Sequence, residues 1–264
     1  MLAALLVLSV PALAQDGGDW PTCGHDKGAM RFSPLDQITP TNVRDLRVAW
    51  VYHMKPVGSD APVDAGDAQR RVSEGAGIAR ASRFAASEMT PLVIGGRMYI
   101  STPYSRVAAL DATTGKEIWV RDIPGPGQPS LRGVEYWPGD GQIGPRIVFG
   151  TRDGRLIALD AATGAWAAGF GYNGGVDMKT ADVMNDMPKA QLGLTTPPIV
   201  YRNLIITGSS VQETPALGAA GDVRAWDASW SGLSTLCPAQ ASAATIAGPR
   251  AARSAARASM SGAF

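Results

Sequence analysis

Histidine and cysteine are nearly missing from this chain, with two of each in 264 residues. Cys23 and Cys237 are too few and too far apart to set up a disulfide framework or a Cys/His zinc site. An excess of charge is missing too. Lys and Arg total 24 against 23 Asp and Glu, a formal net charge of +1. No basic surface therefore argues for nucleic acid, and no nucleic-acid motif is present. Long apolar runs are absent apart from residues 1–14, which carry no charged side chain and fall short of the ~20 residues of a membrane-spanning helix. That run ends Ala12-Leu13-Ala14 before the polar Gln15-Asp16-Gly17-Gly18, a pattern suited to signal peptidase cleavage after Ala14. A positive start is missing beyond the α-amino group. The expectation is export, which in a bacterial-type cell means the periplasm. Glycine and proline are plentiful instead. The 31 Gly and 19 Pro are dispersed between short apolar stretches, as an all-β chain with many turns requires.

A short phrase recurs. Leu110-Asp111-Ala112-Thr113-Thr114-Gly115-Lys116-Glu117-Ile118-Trp119 is followed by Leu159-Asp160-Ala161-Ala162-Thr163-Gly164-Ala165-Trp166. A third copy starts at Ala225-Trp226-Asp227-Ala228 and breaks off. Each copy follows a short apolar strand. Asp suits a turn because its carboxylate bonds the backbone just ahead, and Gly supplies the positive φ. The three Asp are 49 and 67 residues apart, spacings that fit four-stranded propeller blades with loop insertions. The fold expected is all-β, a β-propeller of four-stranded antiparallel blades, about three of them in this chain. Trp50, Trp119 and Trp166 are read as blade-packing residues at equivalent repeat positions. His25 and His53 have no chemical partners in sequence and are read as structural.

Hairpins are expected at 90–102 with Gly95-Gly96 at the tip, at 146–159 turning at Asp153-Gly154, and at 198–208. Residues 46–53 alternate as a strand, and 55–88 form a long polar surface insertion. The organisation expected is a signal peptide over 1–14, propeller blades over 15–228 and a separate tail over 229–264. That tail has eleven Ala, seven Ser and three Arg but no Asp, Glu or Lys. It reads as a disordered segment, either a natural flexible tail or the out-of-frame translation of a GC-rich gene, with the second favoured. Its few apolar residues keep no period and cannot offset chain entropy.

These repeats resemble the tryptophan-docking motif of the quinoprotein dehydrogenases, which hold pyrroloquinoline quinone (PQQ) on the axis of an eight-bladed propeller. Ser33-Pro34-Leu35-Asp36-Gln37-Ile38-Thr39, Arg132-Gly133-Val134-Glu135-Tyr136-Trp137-Pro138-Gly139-Asp140 and Gly208-Ser209-Ser210-Val211-Gln212-Glu213 resemble further motifs of that family, in the same order. The likeness covers about residues 19–228 and is strongest to the glucose and alcohol dehydrogenase branch.

PQQ is a flat ortho-quinone with three carboxylates. A pocket for it needs a cation and hydroxyl or backbone donors, with a metal to polarise the quinone carbonyl. The resemblance implies that Glu88 contacts the cofactor and that Arg132 bonds its oxygens through a guanidinium fork. It implies hydroxyl donors at Thr195 and Ser210, with the backbone of Val211 and Gln212 beside them. Glu213 is the implied Ca²⁺ ligand, since Ca²⁺ gathers oxygen donors. No catalytic residue is assigned, because the family's Asp base would lie past Phe264.

The activity implied is oxidation of a sugar or alcohol hydroxyl, with electrons passing to a quinone or cytochrome and association with a membrane left open. This chain would be a truncated, inactive copy. Two departures leave the substrate undetermined. The alcohol-oxidising branch carries a vicinal Cys pair where this chain has Gly125-Pro126-Gly127-Gln128, and certain sugar and quinate enzymes carry a His where Gln128 stands. The alternative is a non-enzymatic scaffold propeller of the outer-membrane assembly type, a reading that the Arg132 and Ser210–Glu213 motifs oppose.

Overall fold

The computed structural model describes residues 18–56, 85–184, 187–212 and 218–229. The expected signal segment and all of the tail beyond Ser229 lie outside these residues, as does most of the 55–88 insertion. Two complete four-stranded antiparallel sheets follow one another. The first runs β1 (Leu92–Ile94), β2 (Arg97–Thr102), β3 (Arg106–Asp111) and β4 (Glu117–Asp122), in that spatial order. The second runs β5 (Glu135–Trp137), β6 (Arg146–Gly150), β7 (Arg155–Asp160) and β8 (Gly175–Asp177). The third sheet comprises β10 (Ile199–Tyr201), β11 (Leu204–Thr207) and β13 (Arg224–Asp227), and a short pair joins β9 (Leu192–Gly193) to β12 (Ser210–Val211). Helical structure among the described residues amounts to a 3₁₀ turn at Val43–Asp45 and one α turn, Ala181–Met184. Among the described residues no helix is long and apolar enough to cross a membrane.

The sequence makes blades because its apolar residues alternate on strands buried on both faces. On β3, Val107 and Ala109 join one core, and Ala108 and Leu110 join the core on the other face. On β7, Ile157 and Leu159 turn toward the first sheet's core while Leu156 and Ala158 turn toward the third sheet. Each blade thus shares a core with the next. All three hairpins form where expected: Gly95 and Gly96 have φ of 56° and 75°, Gly154 has 84°, and Arg202 at the third tip has 53°.

The repeated phrase is the turn that leaves the third strand of a blade, joining β3 to β4 in the first sheet and following β7 in the second. Asp111 Oδ1 accepts from the Thr113 and Thr114 amides at 3.0 and 2.7 Å and from the Thr114 hydroxyl at 2.8 Å; Asp160 repeats the pattern with Ala162 and Thr163. The preceding Trp then docks on the turn. Trp50 Nε1 donates to Ala112 O at 3.3 Å, and Trp119 Nε1 donates to Ala161 O at 3.1 Å. Their rings lie flat on the turn glycines, so a Cβ at Gly115 or Gly164 would fall 2.5 Å from ring carbons. Only glycine allows both the positive φ and this approach.

Two expectations are corrected. Residues 46–53 do not form a hydrogen-bonded strand, because among the described residues no strand pairs with them. The alternation holds from residue 50 on: Trp50, Tyr52 and Met54 pack on the first sheet while Val51 and His53 are exposed, whereas Val48, in step with Trp50, is exposed as well. Trp166 does not sit at the position of Trp119. Trp119 lies opposite Ala109, whereas Trp166 bridges Leu159, one step further along the repeat. A one-residue step turns a side chain to the other face, and Trp166 packs back on the core between the first two sheets.

Candidate functional site

Glu88, Arg132 and Thr195 occupy corresponding places. Glu88 precedes β1 by four residues, Arg132 precedes β5 by three and Thr195 precedes β10 by four. Each lead-in opens at the end of its sheet where the partner strand of the hairpin exits, since Ile199 pairs Ile206 and Leu92 pairs Tyr99. Ser210 follows β11 at that exit. Repetition of the blade therefore gathers all four residues at one end of the sheets, opposite the Asp-x-x-Thr-Gly turns.

Arg132 and Glu88 meet. Arg132 Nε lies 3.9 Å from Glu88 Oε2, with both side chains about two-thirds exposed (60% and 66%). The loop backbone holds them: Thr90 N donates to Arg132 O at 3.3 Å. Gly133 has φ 119°, and a Cβ there would lie 2.9 Å from Thr90 O, so this contact requires glycine.

Ser130 ties this loop to its neighbours. Fully buried, it accepts at its carbonyl from Ser101 Oγ at 2.7 Å, donates through Oγ to Thr195 O at 2.9 Å, and its Oγ receives the Arg132 amide at 3.3 Å. Three blades are thereby joined under Arg132. Sequence reasoning passed over Ser130, whose only signal was a small polar residue between Pro129 and an apolar lead-in.

Thr195 presents an exposed side chain above this link, and it is the Thr195 carbonyl that the network uses. Ser210 and Val211 pair with Gly193 and Leu192, two and three residues from Thr195. Gln212 follows, exposed. The buried Ser209 Oγ has no hydrogen-bond partner among the described residues. Glu213, the expected metal ligand, lies outside the described residues. Among those described, no group of three or more His, Cys, Asp and Glu could hold a metal.

The site suits an anionic, oxygen-rich ligand. Arg132 supplies a guanidinium held by one long ion pair, and Thr195 and Ser210 bring hydroxyls to the same end of the sheets. Gly127 also has a physical reason to be glycine: a Cβ there would stand 2.1 Å from Asp153 Oδ1. No side chain fits at that point of the 125–128 stretch.

Buried Glu135 lies three residues past Arg132. Burial pushes its carboxyl up to about 7 from 4.5, against the opposing pull of the Thr22 hydroxyl and the Tyr136 amide. A carboxyl raised on folding stabilises the fold below its unfolded value and loses that contribution as pH climbs through the folded value. Wild-type stability is therefore expected to fall between pH 5 and pH 8, by on the order of a few kcal/mol. Glu135→Gln keeps an acceptor for Thr22 and should lose most of that slope. Thermal unfolding at both pH values checks this, and equal slopes in the two proteins would refute it.

Residues 20–232 match the family described as "Glucose/ethanol/alcohol dehydrogenase, beta-propeller domain" of PQQ type. The chain is 33% identical over 222 residues to the glycerol dehydrogenase large subunit of Gluconobacter oxydans, covering 80% of this chain and 27% of that protein. It is 31% identical over 214 residues to a probable quinate dehydrogenase (quinone) of Xanthomonas campestris pv. juglandis, covering 72% and 24%. The crystal structure of the quinohemoprotein alcohol dehydrogenase from Comamonas testosteroni superposes with a TM-score of 0.56 at 31% identity, over 81% of this chain and 26% of that one. The chain thus spans about a quarter of the length of these relatives. With that match over most of its length and four-stranded blades to go with it, the chain belongs to the PQQ-dependent glucose/ethanol/alcohol dehydrogenase β-propeller family.

Proposed function

We propose that this segment forms one side of the cofactor pocket of an exported, periplasmic quinoprotein that oxidises a sugar or alcohol hydroxyl and passes the electrons to a quinone or cytochrome. The observation that carries this reading is the assembly of Glu88, Arg132, Thr195 and Ser210 at one end of three consecutive blades. When bound, PQQ supplies a two-electron acceptor at its ortho-quinone. Arg132 would hold its carboxylates, the Thr195 and Ser210 hydroxyls and the Val211 and Gln212 backbone would orient it, and Glu88 would line its edge. Glu213 would supply a carboxylate to Ca²⁺, whose part is to polarise a carbonyl.

The test is titration of the 264-residue chain with PQQ, followed by quenching of tryptophan fluorescence with and without Ca²⁺. Saturable binding, strengthened by Ca²⁺ and losing that increment in Glu213→Ala, is expected. Absence of saturable binding would remove the cofactor assignment. We further propose that the chain alone is an inactive copy, because its relatives bring about four times its length to the reaction. A dye-linked assay on glucose, ethanol and quinate should stay at the level of a heat-killed control; PQQ-dependent reduction above it would show that these blades suffice.

A further inference from the structure

Residues 19–27 run along the first strands of the blades instead of packing inside one of them. Asp19 accepts from the Gly95 amide at the tip of the first hairpin, at 3.0 and 3.2 Å to its two oxygens. Trp20 forms a two-bond antiparallel bridge with Val93, at 2.6 and 3.0 Å. Running antiparallel to β1, the segment reaches the end of the sheets where the site lies. There Thr22 Oγ1 donates to Glu135 Oε2 at 3.0 Å, and Cys23 Sγ lies 3.6 Å from Thr90 Oγ1. Beyond that a compact loop closes on itself, with Arg31 N donating to Gly24 O at 3.0 Å, and Lys27 Nζ sits 5.8 Å from the ring centre of Tyr201 on β10. The segment touches β1, β5 and β10 in turn.

Thr22 and Cys23 grip both halves of the Glu88–Arg132 pair. Thr90 is two residues from Glu88, and Glu135 is three from Arg132. The direct tie between those halves is modest: the Thr90 amide to Arg132 O at 3.3 Å and the close approach of Gly133. The two side chains meet at 3.9 Å and are mostly exposed, so packing does not fix their separation. Residues 19–27 add a brace from outside the pair to the Thr90–Arg132 contact and the Ser130 links. Glu135 is buried, 5% exposed, and donors to its carboxyl are Thr22 and the Tyr136 amide. The rings of Trp20 and His25 meet at 4.8 Å between centroids, tilted by 60°, where the segment turns.

We propose that residues 19–27 are a positioning strap, with the Thr22–Glu135 hydrogen bond as its clasp, that sets the spacing of Glu88 and Arg132 for the cofactor. The inference rests on the PQQ reading above. The clasp acts through the loop and touches no ligand.

Thr22→Val keeps the shape and removes the donor. A neutral hydrogen bond of this kind is commonly worth about 0.5–1.5 kcal/mol, so PQQ is expected to bind about 2- to 10-fold more weakly to the 264-residue variant. Thr22→Ser restores the hydroxyl and should restore the affinity, a rescue that a purely space-filling role would not give. Asp19→Ala, at an exposed anchor, should weaken binding in the same direction without unfolding the chain. A second readout needs no ligand: Cys23 alkylation by iodoacetamide, followed by peptide mass mapping to separate it from Cys237, should speed up in Thr22→Val and Asp19→Ala. Unchanged PQQ affinity in both variants, with the unsubstituted chain binding normally, overturns the strap alone. Failure of the unsubstituted chain to bind PQQ overturns the cofactor reading and this inference with it. Faster alkylation together with weaker binding and serine rescue supports both.

Discussion

Trp119→Ala is expected to destabilise the described blades more than any other single truncation on their surface-facing strands, by about 3–5 kcal/mol. Trp119 is 9% exposed and joins the core between the first two sheets. Its indole N–H donates to the Ala161 carbonyl, its ring lies on Gly164, and Tyr99 stands 6.1 Å away between centroids. Truncation opens a cavity at the seam between blades and leaves the Ala161 carbonyl with the Tyr99 hydroxyl at 3.2 Å as its partner. Trp50→Ala should cost less, because Trp50 is only half-buried although it makes the same bond to Ala112. Urea unfolding of the two variants checks the order. Equal losses, or a Trp119→Ala loss near 1 kcal/mol, would mean that the seam is not held by docking.

Between the second and third sheets the same seam is built differently. The residue eight places after Asp160, where the earlier copy has its Trp, is Ala168. Arg146 fills that space. Its guanidinium donates to Ala168 O at 2.7 Å and to Ala228 O, the carbonyl that corresponds to Ala112 and Ala161. It lies 5.4 and 5.7 Å from the ring centres of Trp137 and Phe170, and burial lowers its pKa. A buried cation thus replaces the indole as donor to the turn.

That exchange marks how far the sequence was legible. The turns, the hairpins and the two-faced strands follow from local chemistry: Asp beside Thr-Gly, paired glycines and period-two apolar runs. The docking partners do not, because Arg146 and Ala228 are 82 residues apart and nothing in the phrase announces their bond. The period of residues 46–53 was visible, but alternation reports which face is buried and not whether a neighbour supplies backbone bonds.

At the site, the motifs pointed to Glu88, Arg132, Thr195 and Ser210 but not to the hydroxyls that tie their loops together. Glu88 and Arg132 form a 3.9 Å ion pair, and Thr195 and Ser210 fall at the same end of their sheets. Ser130 and Thr22 were missed because a lone hydroxyl in sequence looks like any turn residue. Their roles depend on contacts across 65 and 113 positions.

Arg132→Ala is expected to weaken PQQ binding by about 10- to 150-fold, the scale of about 1.5–3 kcal/mol for hydrogen bonds to a charged partner. The prediction is sharp because Arg132 does little for the fold. Its side chain is 60% exposed, its ion pair to Glu88 is 3.9 Å long, and the bonds that hold its loop are made by its backbone. Exposed pairs of this kind are commonly worth about 0–1 kcal/mol, so the unfolding midpoint should barely move while affinity falls. Arg132→Lys separates charge from shape. A lysine keeps the cation but not the planar fork that meets two oxygens at once, so its affinity should lie between wild type and alanine. Added salt should weaken wild-type binding and act less on the alanine variant, since screening needs a charge to screen. If Arg132→Ala binds PQQ as tightly as the parent chain while both remain folded, the carboxylates are held elsewhere and the loop cluster around Ser130 is scaffolding alone.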